Sequence, residues 1–177
     1  MEIIKFVSDI LLILILCICV YTDLKSGKIY NKITFSGMIL GVLINTGMNK
    51  WKGAIFSIEG LFLGILIFII PFALGGLGAG DVKLVGTIGA IKGPVFVLVS
   101  ALLSAIAGGI IATFIMLKRK KFLKTTKQML KEFFNFITLK IPFSLAKEEK
   151  EGFPYALAIF LGTILTFILN KLEIFKL

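Results

Sequence analysis

Three stretches of this chain, 3–21, 54–74 and 95–117, each hold no more than two charged residues. Each is about as long as an α-helix must be to cross hydrocarbon, roughly 17–25 residues. Three further apolar segments lie at 33–47, 82–91 and 154–169. Hydrophobic residues make up 58% of the 177 and the mean hydropathy is +1.01, far beyond a soluble domain of this size. The expected fold is all-α: a polytopic membrane helix bundle of about six transmembrane segments, forming one domain over 1–177. The 82–91 segment is too short for a full crossing and is entered from a glycine-rich stretch. That pattern predicts a thinned or water-accessible site at membrane depth, where irregular backbone is tolerated. The first run ends Cys19-Val20-Tyr21-Thr22-Asp23, without the small-residue pattern of a signal-peptide cleavage site. It reads as a retained helix.

Lysine sets the orientation. The net charge is +10. Lys25, Lys28 and Lys32 follow the first apolar run, and Lys118-Arg119-Lys120-Lys121 opens the loop after the fifth. The opposite loops hold Lys50, Lys52 and Lys92. A positive-inside bias places the two richer loops in the cytoplasm and both termini outside. Anionic membrane lipid is the expected partner of this charge, and nucleic acid is not. The stretch 118–141, inside a cytoplasmic basic loop over 118–152, is amphipathic. Lys120, Lys124, Lys127 and Lys131 share one stripe, with Phe122, Met129, Leu130, Phe133 and Ile137 opposite. It is expected as an interfacial helix between the fifth and sixth segments. Small residues recur four apart at Gly37/Gly41, Gly60/Gly64, Ser104/Gly108 and Ala105/Gly109, and are read as helix-packing positions.

The chemistry available is narrow. Histidine is absent, which removes Ser-His and Cys-His catalysis and the common zinc sites. Cys17 and Cys19 are two apart on a helix, point to different sides, and are read as packing residues. Two acids stand out at the edges of apolar runs: Asp23, and Asp81 at the end of Gly75-Gly76-Leu77-Gly78-Ala79-Gly80-Asp81. The lysine-based orientation puts both on the cytoplasmic side. Ionisable groups near hydrocarbon are costly and are functional suspects by default. Two close carboxylates cannot both ionise, so one keeps a proton while the other takes one from water. Asp81 is expected to cap the helix it begins, at a positive helix end. Asp23 is expected beyond the negative end of the first helix, which assigns the shared proton to Asp23. Lys83 lies two residues past Asp81, points away from it and is expected to snorkel to the interface. Asp9 and Glu59, the other acids in apolar runs, fall near the outer ends.

The stretch Gly78-Ala79-Gly80-Asp81-Val82-Lys83-Leu84 resembles the Gly-x-Gly-Asp motif of type IV prepilin peptidases, the membrane aspartic peptidases that include the preflagellin peptidases. Asp23-Leu24-Lys25-Ser26-Gly27-Lys28-Ile29-Tyr30-Asn31 is similar to that family's Asp, basic spacer, Ile-Pro-Asn pattern, with Tyr30 in place of proline. Phe153-Pro154-Tyr155-Ala156-Leu157-Ala158-Ile159 resembles the Pro-Tyr-x-x-Ala-Ile stretch of the last helix. The resemblance implies Asp23 and Asp81 as the catalytic pair, with Gly78, Gly80, Lys83, Asn31, Pro154 and Tyr155 supporting the loop and substrate backbone. It implies no metal and no cofactor. The implied substrates are prepilin-like proteins (prepilin, pseudopilin or preflagellin type), cut after a basic leader at the cytoplasmic face of a prokaryotic plasma membrane. Lacking paired Cys-x-x-Cys motifs, the chain resembles the peptidase-only form. Presenilin-type proteases share Gly-x-Gly-Asp but set the first aspartate in a different sequence. A small transporter binding cations at the aspartates, and a pilin-assembly protein without activity, are the readings from other classes.

Overall fold

The computed structural model describes residues 2–118 and 155–172. Apart from Lys118, the basic stretch expected as an amphipathic helix lies outside these residues, as does Pro154. Helix α1 spans Glu2–Ser26, α2 Asn31–Ala73, α3 Ala79–Lys92, α4 Pro94–Lys118 and α5 Tyr155–Lys171. Among the described residues α1, α2 and α4 are long and apolar enough to cross a membrane, and α5 is a shorter apolar helix.

The 43 residues of α2 do not run straight. Asn49 and Lys50 leave helical geometry, and Lys50 takes φ +52°. The Asn45 side-chain amide meets the Ser57 hydroxyl at 2.9 Å. Twelve residues along a continuous helix would separate them by about 18 Å, so the chain folds back on itself. The segments at 33–47 and 54–74 are therefore the two arms of one helical hairpin.

Helix α3 lies against both arms. A Cβ on Gly41 of the first arm would stand 2.8 Å from the Ala90 carbonyl, and one on Gly64 of the second arm 2.7 Å from the Val85 carbonyl. Lipid tails give helices no hydrophobic reason to associate, so close backbone approach and polar contacts hold the bundle. The paired glycines of the two arms provide that approach. Asn45, which the sequence reading passed over, sits where the arms meet the end of α3. Its amide lies within 3.2 Å of the Ala90 and Ile91 carbonyls, which α3 itself cannot satisfy. Across the bundle, Ser100 of α4 shares a 2.8 Å hydrogen bond with Thr163 of α5. The packing role expected of Ala105, Gly108 and Gly109 is only partly met. These residues line a cavity, and nothing stands within 4 Å of a Cβ added at Gly109.

The core stripe of α1 is Leu12, Ile15, Leu16 and Cys19, at i, i+3, i+4 and i+7, while Phe6, Val7, Ile10, Leu14 and Ile18 face outward. This leaves Cys17 exposed and Cys19 buried. Following the helices end to end, the 26–31 connection, the 73–79 loop and the first turn of α5 gather at one end of the bundle. The hairpin turn at Lys50 and the α3–α4 junction lie at the other.

Candidate active site

Helix α1 ends on Gly27 (φ +63°), whose N–H donates to the Asp23 carbonyl at 2.8 Å. Asp23 thus sits in the last turn of α1, one turn above buried Cys19, rather than beyond the helix. The chain then crosses to α2 through Lys28, Ile29 and Tyr30. Tyr30 adopts φ −77° and ψ 129°. A proline would impose nearly the same backbone, so its replacement by tyrosine leaves the loop geometry intact.

The second acid is positioned by a different device. The second arm of α2 closes with Gly75 at φ +77°, its N–H on the Phe72 carbonyl, and with the Gly76 N–H on the Pro71 carbonyl. This paired pattern stops the helix and requires the left-handed glycine. Helix α3 then begins, with Gly78 as its N-cap. Asp81 is three residues further on, inside the first turn, and does not cap the helix as expected. Its carboxylate reaches back to accept the Gly78 N–H at 3.0 Å. A glycine offers no side chain in return, so this is one half of a capping box.

Asp23 and Asp81 line one cavity of about 330 Å³. Gly27, Lys28, Asn31, Gly78 and Gly80 complete much of its wall. Asp81 is 7% exposed and Asp23 is half-buried. Asp81 stands at the mouth of α3, a helix too short to cross. Burial pushes its carboxyl up to about 6; the Gly78 N–H opposes the rise and the charge of Asp23 adds to it.

Asp23 has a partner that the sequence reading did not foresee. The Ala156 N–H in the first turn of α5 donates to its carboxylate at 3.3 Å. Asp23 thus lies between the negative end of α1 and the positive start of α5, while Asp81 meets only the positive start of α3, so the asymmetry that assigned the proton to Asp23 is weakened. Burial works in the other direction and is greater at Asp81.

Of the supporting residues, Asn31, Gly78 and Gly80 reach the cavity. Lys83 does not. It is half-buried, and its ammonium donates to the Asn31 side-chain oxygen at 2.9 Å and lies 5.5 Å from the Phe35 ring centre. Tyr155 lines a neighbouring apolar cavity of about 630 Å³ between α4, α5 and the end of α2. That cavity is larger, but the acids are in the smaller one. Among the described residues no group of three or more Cys, Asp and Glu side chains could hold a metal ion.

Residues 10–113 match the model of the type IV leader peptidase family. This chain belongs to that family. The matched range holds both aspartates, the hairpin and α3; the Pro-Tyr stretch before α5 lies beyond it. No curated protein and no solved structure gives a significant match. The family is one of peptidases, so the chain is a leader peptidase-like protease with helices apolar enough to cross a membrane.

Proposed function

We propose that this leader peptidase is an aspartic endopeptidase, with Asp23 and Asp81 as its catalytic pair, and that it removes the basic leader of prepilin-like proteins at the cytoplasmic face. The observation that carries the reading is that two motifs far apart in sequence present their acids to one cavity. Asp81, the more buried acid, holds the shared proton, and Asp23 is the base. Asp23 takes a proton from water as the water oxygen bonds to the scissile carbonyl carbon. Asp81 gives its proton to the carbonyl oxygen. The tetrahedral intermediate collapses, the C–N bond breaks, and the leaving nitrogen takes the proton gained by Asp23. The diol proton returns to Asp81. Gly78 and Gly80 line the cavity beside the acids, where an extended peptide backbone would bind.

The cytoplasmic orientation rests on charge. Lys25, Lys28 and Lys32 fall at the end of the bundle that holds the cavity, and Lys50, Lys52 and Lys92 at the other. Anionic lipid at that face is the further partner, and the host membrane is a prokaryotic plasma membrane.

Co-expression with candidate prepilins, followed on gels for leader loss, tests the function. Wild type should process a prepilin. Asp23→Asn and Asp81→Asn should each lose about 10²–10⁴-fold in rate, the usual scale of general acid–base catalysis. Processing near the wild-type rate by either correctly inserted variant rejects the pair.

A further inference from the structure

The two acids come from separate elements, so something must fix their spacing. Catalytic groups need placement to within about 0.5 Å, and a shift of about 1 Å can cost on the order of 100-fold in rate. Neither acid is hydrogen-bonded to the other's helix. Asp81 is anchored within α3 through Gly78, and Asp23 is anchored to α5 through Ala156. The alignment of α1's end with α3's start therefore falls to contacts outside the carboxylates.

One face of α3 makes them. Gly80, Lys83 and Thr87 follow the i, i+3, i+7 spacing of a single helical stripe. Gly80 packs on Ile29: a Cβ there would stand 2.9 Å from the Ile29 Cβ. Lys83 donates to Asn31 at 2.9 Å and lies over Phe35. The fully buried Thr87 hydroxyl shares its proton between the Lys83 carbonyl of its own helix at 2.8 Å and the Thr34 carbonyl of α2 at 3.1 Å. The three partners run in order from the α1–α2 connection, at Ile29, into the first turn of α2, at Asn31 and Thr34. The stripe is thus a seam that pins the chain just after Asp23 to the helix just after Asp81.

We infer that Lys83 and Asn31 are positioning residues, the polar latch of a seam that sets the distance between Asp23 and Asp81. The latch touches neither carboxylate. It acts through backbone placement: Asn31 holds the 28–30 connection, and Lys83 holds the first turns of α3. Gly80 and Thr87 are the apolar and buried ends of the same seam. This inference rests on the dyad reading, and its test must separate the two.

Two readouts do so. The first needs no substrate: infrared titration of the carboxyl groups of the purified chain in lipid. Two close carboxylates release their protons in two steps held apart by mutual repulsion. Asn31→Ala frees the Lys83 ammonium, so it is read beside the double variant Asn31→Ala/Lys83→Met, which leaves no cation to relocate: in both, acids that have drifted apart should titrate in two steps that lie closer together. Lys83→Met should do the same, and Lys83→Arg, which keeps a donor, should recover most of the wild-type separation. The second readout is prepilin cleavage. Asn31→Ala and Lys83→Met should each lower kcat by roughly 10–100-fold with little change in KM. The double variant should be no worse than the poorer single, because one latch can be broken only once. Unchanged titration steps in Asn31→Ala, or losses that multiply in the double variant, would overturn the latch. If Asn31→Ala fails to insert, the comparison of Lys83→Met with Lys83→Arg decides the same question. A wild type that cleaves no prepilin would defeat the dyad reading, while the titration would still judge the seam.

Discussion

Helices α1 and α3 carry charge at both ends of the bundle, and the two ends are built in opposite ways. At the far end, Asp9 of α1 pairs with Lys92 of α3. The Lys92 ammonium also lies 5.7 Å from the Phe96 ring centre and 5.2 Å from that of Phe167. Those rings pack with centroids 5.0 Å apart. Every group there has an opposite or complementary neighbour, so the cluster ties four helices together and has no reason to exchange a proton. At the other end the same two helices present Asp23 and Asp81 to an open cavity, with backbone N–H groups as their partners. Like charges in a confined site resist full ionisation and hold a proton. One end spends its charges on cohesion; the other keeps them unbalanced, as proton-transfer chemistry requires.

The contrast is broken most severely at Gly80. Gly80→Ala drives a methyl into Ile29 and pushes the α1–α2 connection away from α3. The expected result is a loss of about 100-fold in prepilin cleavage with the protein still inserted, measured by rate and by helical circular dichroism. Asp9→Asn acts on the other end. It leaves Lys92, which is 17% exposed, without its anion, and should lower stability by about 1 kcal/mol in a detergent melt. Cleavage by Asp9→Asn should match wild type, which sharpens the separation of the two ends. Tyr30→Pro is the smallest change. Proline fits φ −77° and stiffens the unfolded chain, so it should raise stability by about 0.4–1 kcal/mol in the same melt.

The spans and the two acids are legible in the sequence for a physical reason. Helices in lipid must satisfy their own backbone and show apolar faces outward, so composition reveals them. An acid at the edge of such a run has no packing purpose, which makes Asp23 and Asp81 conspicuous. What the sequence hides is three-dimensional adjacency. The break between the 33–47 and 54–74 segments, with Lys50 and Lys52 in it, is readable as a loop; that α3 packs against both arms is not. The second helix end that Asp23 meets was out of reach of the sequence, because its donor is a backbone N–H of α5 and a backbone group carries no sequence signal. Lys83 read as a snorkelling cation because its partner Asn31 lies on another helix. Asn45, by contrast, could have been found: an asparagine within an apolar span implies a buried polar partner.

The central claim is that the acids of the cavity work as a pair sharing one proton. The pH dependence of kcat/KM for prepilin cleavage tests it most directly. At low pH both acids are protonated and the base is lost. At high pH both are ionised and the acid is lost. The account predicts a bell, with a falling limb that begins at about pH 6 or above as Asp81, pushed up to about 6, gives up its proton. The same bell should appear in Asp9→Asn. A rate independent of pH across the carboxylate range would contradict the account, as would a falling limb that moves when Asp9 is changed.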